Sequence, residues 1–282
     1  MMRKYSFLTI ILCAGLLMNG CSEDQYAVEK RYWQLKKQAE QILQNPEVSP
    51  PNELKRAIDA TNSFIARYPK NILAMESKFL IAKLYLAKKE FNQGREQLQQ
   101  IMSEYKSIPP VCSEALFLIG SSYQLQNNWA QALEQYRKVY RDYPLTERGF
   151  EAPMYIAMYY KAKFMPDKMI DTCNEAIAHF RGLMAKYPDP KVAFRAYNYI
   201  GSCYVAMKKW PEAVQNLQGM ATYFKDKLDT GNLYINIALI YANELKDAEQ
   251  AKQVLQKFIS DNPKSKFIQS AEKLLAAIEK GK

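Results

Sequence analysis

The stretch EALFLIGSSYQLQNNWAQALEQYRKVYRDYP, residues 114–144, contains two helical patterns separated by a short turn. In the first half, apolar and small residues recur three and four positions apart, so they share one face of a helix. These residues are Leu116, Ile119, Gly120 and Tyr123. The pair Asn127 and Asn128 then marks a turn. The first half therefore predicts one helix with a single packed face.

The second half of the same stretch predicts a second helix that ends at Pro144. Its packed face consists of Ala132, Tyr136 and Val139. Gly120 and Ala132 are small, and we expect the two helices to cross at these positions. A larger side chain at the crossing costs ~1–3 kcal/mol in forced overpacking. The stretch thus predicts a helix–turn–helix unit.

The same pattern repeats along most of the chain. The small residue of the second helix recurs at intervals of 37, 38, 44, 37 and 38 residues, at Ala57, Gly94, Ala132, Ala176, Ala213 and Ala251. A proline follows four of these positions twelve residues later, at Pro69, Pro144, Pro188 and Pro263. The first helices show their own pattern in Ile81-Ala82-x2-Tyr85, Ile200-Gly201-x2-Tyr204 and Ile237-Ala238-x2-Tyr241. A periodic recurrence of this kind indicates a stacked repeat architecture.

This pattern resembles the tetratricopeptide repeat (TPR), in which a Trp-x2-Leu-Gly-x2-Tyr helix precedes an Ala-x3-Phe helix and a proline. The resemblance covers about residues 52–280 and implies an all-α solenoid of about six helix-turn-helix units, wound as a right-handed superhelix. We expect residues 25–44 to form the first helix of the first unit. The proline-rich segment that begins at Asn45 is expected to be a loop.

Repeat four departs from its neighbours in length. Nineteen residues separate Ala157 from Ala176, where repeats three and five have twelve. Proline favours the first position of a helix and disfavours helical geometry just before it, so Met165-Pro166-Asp167 is the expected turn. The second helix is then about two turns longer, and Met169, Ile170 and Cys173 fall on the extension. The extension either offers a ledge to a partner or packs on its neighbours.

The N-terminal segment has the pattern of an export signal. Arg3 and Lys4 precede an uncharged run from Phe7 to Met18, which is too short for the ~20 residues of a membrane-spanning helix. The following Leu17-Met18-Asn19-Gly20-Cys21 resembles the bacterial lipobox. That resemblance implies a signal peptide at residues 1–20, lipid (palmitate among its acyl chains) on Cys21, and a TPR domain over residues 21–282. The alternative is an ordinary secretory signal with an incidental cysteine.

The resemblance to lipoproteins also implies a location. Ser22 stands where an aspartate favours retention in the inner membrane, so it resembles an outer-membrane address. We therefore expect a lipid-anchored protein on the periplasmic face of the outer membrane. Without residues 1–20 the chain has 37 basic and 29 acidic residues. Export and the dispersed lysines argue against nucleic acid as a partner. The charge fits a solvated surface, an anionic lipid or an acidic partner.

Three cysteines remain after Cys13 leaves with the signal and Cys21 takes lipid. These are Cys112, Cys173 and Cys203, and an odd number cannot all pair. Cys173 and Cys203 lie on neighbouring predicted helices and could form a disulfide. The other interpretation is that all three are small buried residues.

The sequence contains little that indicates catalysis. His179 is the one histidine, and there is no HExxH, paired CxxC, Gly-rich phosphate loop or GxSxG motif. We therefore predict a protein that is not an enzyme and has neither a catalytic residue nor a bound metal or cofactor.

A stack of helix pairs presents an extended surface for partners. In TPR proteins the first helix of each pair lines the inner face. Projected onto this chain, that rule predicts a partner-binding groove for peptide or protein segments. Its residues are Phe79, Lys83, Phe117, Ser121, Gln124, Met154, Met158, Lys161, Asn198 and Ser202.

Among exported TPR lipoproteins, the arrangement most resembles the BamD-type lipoproteins of the outer-membrane β-barrel assembly machinery. The shared features are the lipobox, a short tether over residues 22–26, and repeats that end in Tyr-Pro or Asn-Pro. The six predicted units and the longer repeat four differ from that family. The resemblance implies a periplasmic scaffold for outer-membrane protein assembly, whose partners are envelope proteins such as β-barrel assembly components. Two alternatives stay open: an adaptor in cell-wall remodelling or polysaccharide export, and an envelope enzyme with an unrecognised site.

Overall fold

The computed structural model describes residues 25–281, and each regular element in this range is an α-helix. The chain divides after Tyr105 into two compact units, each of which is described separately below. The predicted signal peptide, Cys21 and Ser22 lie outside the described residues. The domain boundary at residue 20 therefore stays a prediction.

Unit 1 contains four helices that pack on one another in chain order. Helix α1 contacts both α2 and α3, and α3 also contacts α2 and α4. The core of this unit includes Ala39, Ile42, Ala57 and Leu84. The four helices are α1 (Gln25–Gln44), α2 (Pro51–Arg67), α3 (Ile72–Ala87) and α4 (Phe91–Glu104).

Unit 2 contains nine helices within its described residues, and each packs on the next. Alternate helices also touch, since α5 contacts α7, α7 contacts α9, and α11 contacts α13. The helices are α5 (Pro109–Leu125), α6 (Trp129–Asp142), α7 (Glu147–Ala162), α8 (Pro166–Lys186), α9 (Pro190–Ala206), α10 (Trp210–Phe224), α11 (Gly231–Asn243), α12 (Ala248–Asp261) and α13 (Ile268–Glu279).

The predicted fold class is confirmed: the chain is all-α, with helices packed sequentially as in a TPR solenoid. Helix α1 has the bounds that the sequence predicts, residues 25–44. The six small residues that define the repeat all lie on second helices and are all buried. The last helix, α13, has no partner helix after it within the described residues. It packs against α11 and α12, with Ala271 buried at the contact.

Proline sets the ends of four second helices. Helices α2, α6, α8 and α12 each end two residues before the repeat's proline. The residue before a proline is disfavoured in helical geometry, so the intervening residue leaves the helix. Tyr68, Tyr143 and Asn262 accordingly have φ angles of −126°, −129° and −130°. These second helices therefore end where they do because proline restricts the backbone of the residue before it.

Repeat four has the extended second helix that the sequence predicts. Helix α8 has 21 residues where α6 has 14, and it begins at Pro166, so Pro166 and Asp167 of the predicted turn are its first two residues. Met169 and Cys173 on the extension are buried. The extension therefore packs on its neighbours through these two residues, which favours the second of the two interpretations.

Five of the six turns between paired helices share one backbone feature. Each of five turns places one residue in the left-handed region, at Lys89, Asn127, Phe164, Lys208 and Lys246. Left-handed geometry costs a residue with a Cβ about 1–2 kcal/mol, and asparagine tolerates it better than most residues. Phe164 is the one aromatic residue of the five and is 92% exposed, so its side chain gains little from packing.

We expect Phe164→Asn to raise the free energy of unfolding by about 0.5–1 kcal/mol, because it relieves left-handed strain without removing a packed side chain. Urea unfolding followed by circular dichroism measures the change. Asn127→Phe is the matched control, since it places phenylalanine at the equivalent position of another turn and should destabilise by a similar amount. A loss of stability in Phe164→Asn would show that the Phe164 ring has a packing role.

Candidate functional site

The exposed sides of α7, α9 and α11 make up a candidate surface in unit 2, which we call the first-helix face. Its exposed apolar residues are Met158, Val205 and Leu239, which lie on three successive first helices. Its exposed polar residues are Lys161, Asn198, Ser202 and Asn236. Large apolar side chains exposed beside amides are typical of surfaces that contact other proteins.

A groove of about 320 Å³ opens in this face between α9 and α11. The floor comes from α10, and none of the residues that line the groove is charged. Val205 and Leu239 on the walls are 47% and 36% exposed. The lining consists of Tyr197, Asn198, Gly201, Val205, Ala213, Asn216, Leu217, Met220, Asn236, Leu239 and Ile240. An uncharged segment can bind in such a cleft without burying an unpaired charge of the protein.

One hydrogen bond fixes the floor of this groove. The side-chain amide of Asn216 donates from Nδ2 to the backbone carbonyl oxygen of Tyr197 at 2.9 Å. A Cβ atom at Gly201 would lie 3.2 Å from that same nitrogen. Glycine at 201 therefore leaves room for the bond that joins α10 to α9, and it keeps the groove open on the α9 side.

Next to the first-helix face, α5, α6 and α7 are joined by an aromatic and amide cluster. Gln124 Oε1 accepts hydrogen bonds from the hydroxyls of Tyr136 at 3.1 Å and Tyr155 at 3.0 Å. The ring of Phe117 lies 4.9 Å from that of Tyr136 and 5.1 Å from that of Tyr155. Burial raises the pKa of Tyr136, so its hydroxyl stays protonated and remains a donor.

Arg148 links α5 and α7 at the edge of this cluster. Arg148 donates to Glu114 at 2.6 Å and to Glu151 at 2.7 Å, and its guanidinium lies 4.5 Å from the centre of the Phe117 ring. Because the arginine is half-buried, these charge-assisted bonds are less screened than surface pairs. The cluster therefore holds α5 and α7 in a fixed arrangement beside the first-helix face.

The structure distributes the ten predicted groove residues over both units. Phe79 and Lys83 lie on α3 in unit 1, where Phe79 is buried and Lys83 is exposed. In unit 2, Phe117 is buried, while Ser121 and Gln124 are half-buried members of the aromatic and amide cluster. Three predicted residues lie on α7, namely Met154, Met158 and Lys161, and two on α9, namely Asn198 and Ser202. Their role in binding stays a prediction.

Sequence reasoning missed the α11 side of the groove. Asn236 and Leu239 line it, as does Val205 at the end of α9. The signal was present, because Asn232, Asn236, Leu239 and Asn243 recur at helical spacing on the first helix of the sixth unit. The ten-residue projection stopped at repeat five and did not extend to this helix.

The described part of the chain offers little for metal or acid–base chemistry. Within residues 25–281, no three His, Cys, Asp or Glu side chains converge on one point. His179 is half-buried with its ring 5.1 Å from that of Tyr140, and its Nε2 has no hydrogen-bond partner. None of the helices between Gln25 and Glu279 is both long and apolar enough to span a bilayer.

The burial of His179 predicts that the stability of the fold depends on pH. Burial lowers the pKa of its imidazole below 6.5. Below pH 6.5 the imidazole is protonated in the unfolded chain but stays neutral in the folded chain. The free energy of unfolding therefore falls as the pH drops from 6.5 towards the lowered native pKa. We expect wild type to lose more stability between pH 7 and 5.5 than His179→Gln, measured by urea unfolding at each pH. Equal losses would show that His179 is not the source of the pH dependence.

Comparison with known proteins decides the family of the repeats. The tetratricopeptide-repeat family profile matches residues 114–146 and 234–265, the units of α5–α6 and α11–α12. The chain contains tetratricopeptide repeats. TPR proteins act as scaffolds that bind peptides or other proteins and are typically not enzymes. No curated protein sequence matches the chain.

Several solved TPR structures are similar to this TPR protein at low identity. The C-terminal part of a TPR repeat-containing protein from Cytophaga hutchinsonii is 16% identical with a TM-score of 0.41, and the match covers 80% of this chain and 79% of that one. A TPR protein from Parabacteroides merdae is 15% identical with a TM-score of 0.29, covering 88% and 99%. The TPR2AB domain of yeast Sti1, solved in complex with pHSP90, is 12% identical with a TM-score of 0.33, covering 89% and 99%. At these identities and TM-scores, the binding partners of those proteins are not assigned to this chain.

Proposed function

We propose that this TPR protein is a lipid-anchored scaffold on the periplasmic face of the outer membrane. It holds an uncharged segment of another envelope protein against its first-helix face. The process it serves is the assembly of outer-membrane proteins, as in the BamD-type lipoproteins. The observation that carries the scaffold role is the uncharged groove between α9 and α11 with Val205 and Leu239 exposed on its walls.

The composition of the groove supports a protein segment over a small charged ligand. Asparagine side chains carry both donors and acceptors, so Asn198 and Asn236 can pair with either group of a peptide backbone. Val205 and Leu239 supply apolar contact beside them. About a quarter of all residues in the chain are charged, so an uncharged lining is a distinctive feature of this surface.

Charge substitutions in the groove test the scaffold role. We expect Val205→Glu and Leu239→Glu to remove at least one envelope protein that co-purifies with wild type from detergent-extracted membranes, because each variant buries a charge in the complex. Gln256→Glu is the matched control, since Gln256 is exposed on α12 and does not line the groove. β-Barrel assembly proteins among the lost partners support the assembly role. If the lost partners are cell-wall synthases or hydrolases, the result supports the adaptor in cell-wall remodelling instead. If both groove variants co-purify the same proteins as wild type, the result contradicts the groove assignment.

The anchor is tested independently of the partner. Cys21→Ser removes the proposed lipid site, and two or more acyl chains are what make attachment stable, at ~0.8 kcal/mol per buried methylene. We expect this variant to move from the membrane fraction to the periplasmic fraction with an unchanged helical circular dichroism spectrum. Persistent membrane attachment would contradict lipidation at Cys21 while leaving the groove assignment intact.

A further inference from the structure

The exposed side of α1, in unit 1, combines large aromatic rings with lysines. Tyr26 and Trp33 are 68% and 60% exposed, and the exposed lysines Lys30 and Lys37 alternate with them. The four residues follow one another at spacings of four, three and four, so they share one side of the helix. The Lys37 ammonium lies 5.4 Å from the centre of the Trp33 ring. We call these four residues the α1 stripe.

The packing of α1 fixes the direction in which the stripe faces. The opposite side of the helix packs against α2 and α3 and includes the buried residues Val28, Ala39 and Ile42. On this packed side, the hydroxyl of Tyr32 donates a hydrogen bond to Glu76 on α3 at 2.8 Å. Helix α1 cannot rotate about its axis without breaking these contacts, so the stripe stays on the surface of unit 1.

We propose that the α1 stripe binds the surface of a bilayer that contains anionic phospholipid. Tyrosine and tryptophan rings are enriched at the headgroup level of membranes, where an apolar ring with a polar tip meets both of its preferred environments. Lysine ammonium groups near such a surface are attracted to anionic headgroups. The stripe has both kinds of group and no acidic side chain. Helix α1 is not apolar enough to cross a bilayer, so the contact is with the surface.

The charge of the whole helix favours the same partner. Basic residues outnumber acidic ones by four to two along α1, as Lys30, Arg31, Lys36 and Lys37 against Glu29 and Glu40. Helix α1 therefore contributes a net charge of +2 to this surface. An anionic bilayer complements that charge over the full length of the stripe.

The position of α1 in the chain places a bilayer within reach of the stripe, a step that rests on the proposed lipid anchor at Cys21. Gln25 begins α1 four residues after Cys21, and four residues span at most about 14 Å. Trp33 lies eight residues further along the helix, about 12 Å at 1.5 Å per residue. A contact that is tethered in this way forms at a high effective concentration, so a weak attraction is enough. An acidic protein surface would have no such advantage.

Vesicle flotation tests the stripe without the lipid. The protein is the mature chain, residues 21–282, made without the signal peptide and with Cys21→Ser. We expect this chain to float with vesicles of phosphatidylethanolamine and phosphatidylglycerol, and not with neutral vesicles of phosphatidylethanolamine and phosphatidylcholine. Replacing Lys30 and Lys37 together with glutamine should weaken binding by about tenfold or more. Because salt screens this attraction, the contact is reversible and does not hold the Cys21→Ser chain on salt-washed membranes.

A charge-matched variant controls for the general attraction of a basic protein to anionic lipid. Replacing Lys106 and Lys264 with glutamine removes two exposed lysines from unit 2, outside the stripe. We expect this variant to bind the anionic vesicles as its parent does. Helical circular dichroism checks that both double variants stay folded. Equal weakening in the two double variants overturns the proposal, because the attraction would then depend on net charge alone.

Tryptophan fluorescence locates the contact. Trp33 is exposed, whereas the other two tryptophans, Trp129 and Trp210, are half-buried. Brominated acyl chains in the anionic vesicles should quench the emission of the parent chain and shift it to the blue. Trp33→Phe keeps an aromatic ring, so it should still float but lose the quenching. Quenching that persists in Trp33→Phe overturns the proposal, because the bilayer would then contact another part of the chain.

Two other outcomes also decide the proposal. A parent chain that does not float with anionic vesicles overturns it. An envelope protein that co-purifies through Trp33 and Lys37, from a chain that does not float, overturns it in favour of a protein partner. These results do not depend on lipidation, because the tested chain lacks Cys21. A failure of the lipid anchor is therefore distinguishable from a failure of the stripe.

Discussion

Replacing Tyr136 with alanine is expected to lower the free energy of unfolding by about 3–5 kcal/mol, the usual cost of deleting a fully buried aromatic side chain. The Tyr136 ring is 0% exposed and contacts the rings of Phe117, Trp129 and Tyr155. Its loss leaves a cavity between α5, α6 and α7 and removes one of the donors to Gln124. Urea unfolding followed by helical circular dichroism measures the change.

The conservative variant separates packing from hydrogen bonding at the same position. Tyr136→Phe keeps the ring and removes only the hydroxyl, whose hydrogen bonds go to Ser121 and Gln124. We expect a loss of about 1 kcal/mol, because Gln124 still accepts from Tyr155. A loss in Tyr136→Ala no greater than that in Tyr136→Phe would contradict the assignment of Tyr136 to the core of this cluster.

Two glycine substitutions are expected to change stability in opposite directions. A Cβ atom at Gly149 would lie 2.1 Å from the backbone oxygen of Tyr143, which cannot rotate away. Gly149→Ala must therefore displace the loop before α7, and we expect a loss of about 3 kcal/mol, at the upper end of ordinary overpacking. At Gly182, within α8, a Cβ atom would meet no other atom within 4 Å. Gly182→Ala should stabilise the helix by about 0.5–1 kcal/mol.

Gly182→Ala is the control for Gly149→Ala, because both add one methyl group to a helical glycine of unit 2. Thermal melts of the two variants beside wild type give the comparison. Equal and small changes in melting temperature would mean that the backbone at Tyr143 and Pro144 can move away without a loss of stability. That outcome would contradict the close contact on which the start of α7 depends.

The sequence was sufficient to predict the fold because the repeat depends on local rules. Small residues at Ala132 and its equivalents mark helix crossings, and prolines such as Pro144 end helices through their effect on the preceding residue. The length of α8 also follows from counting residues between Ala157 and Ala176. The bounds of α1 agree with the predicted residues because the polar and apolar pattern changes at Asn45.

The sequence was less informative about surfaces, because helical periodicity alone does not distinguish a buried face from a groove. Phe79 and Phe117 have the spacing of groove residues, yet packing buries both side chains. Val205 and Leu239 look like core residues in the sequence, yet they are exposed where α9 and α11 leave a groove above α10.

Site-specific photo-crosslinking in living cells is the most direct test of the first-helix face as a protein-binding surface. A photoreactive phenylalanine analogue is placed at Val205 or Leu239 in the groove, and at exposed Gln256 on α12 as the control. We expect one discrete crosslinked envelope protein from the groove positions and none from the control. Crosslinks from Gln256 alone, or identical crosslinks from all three positions, would contradict binding at the groove.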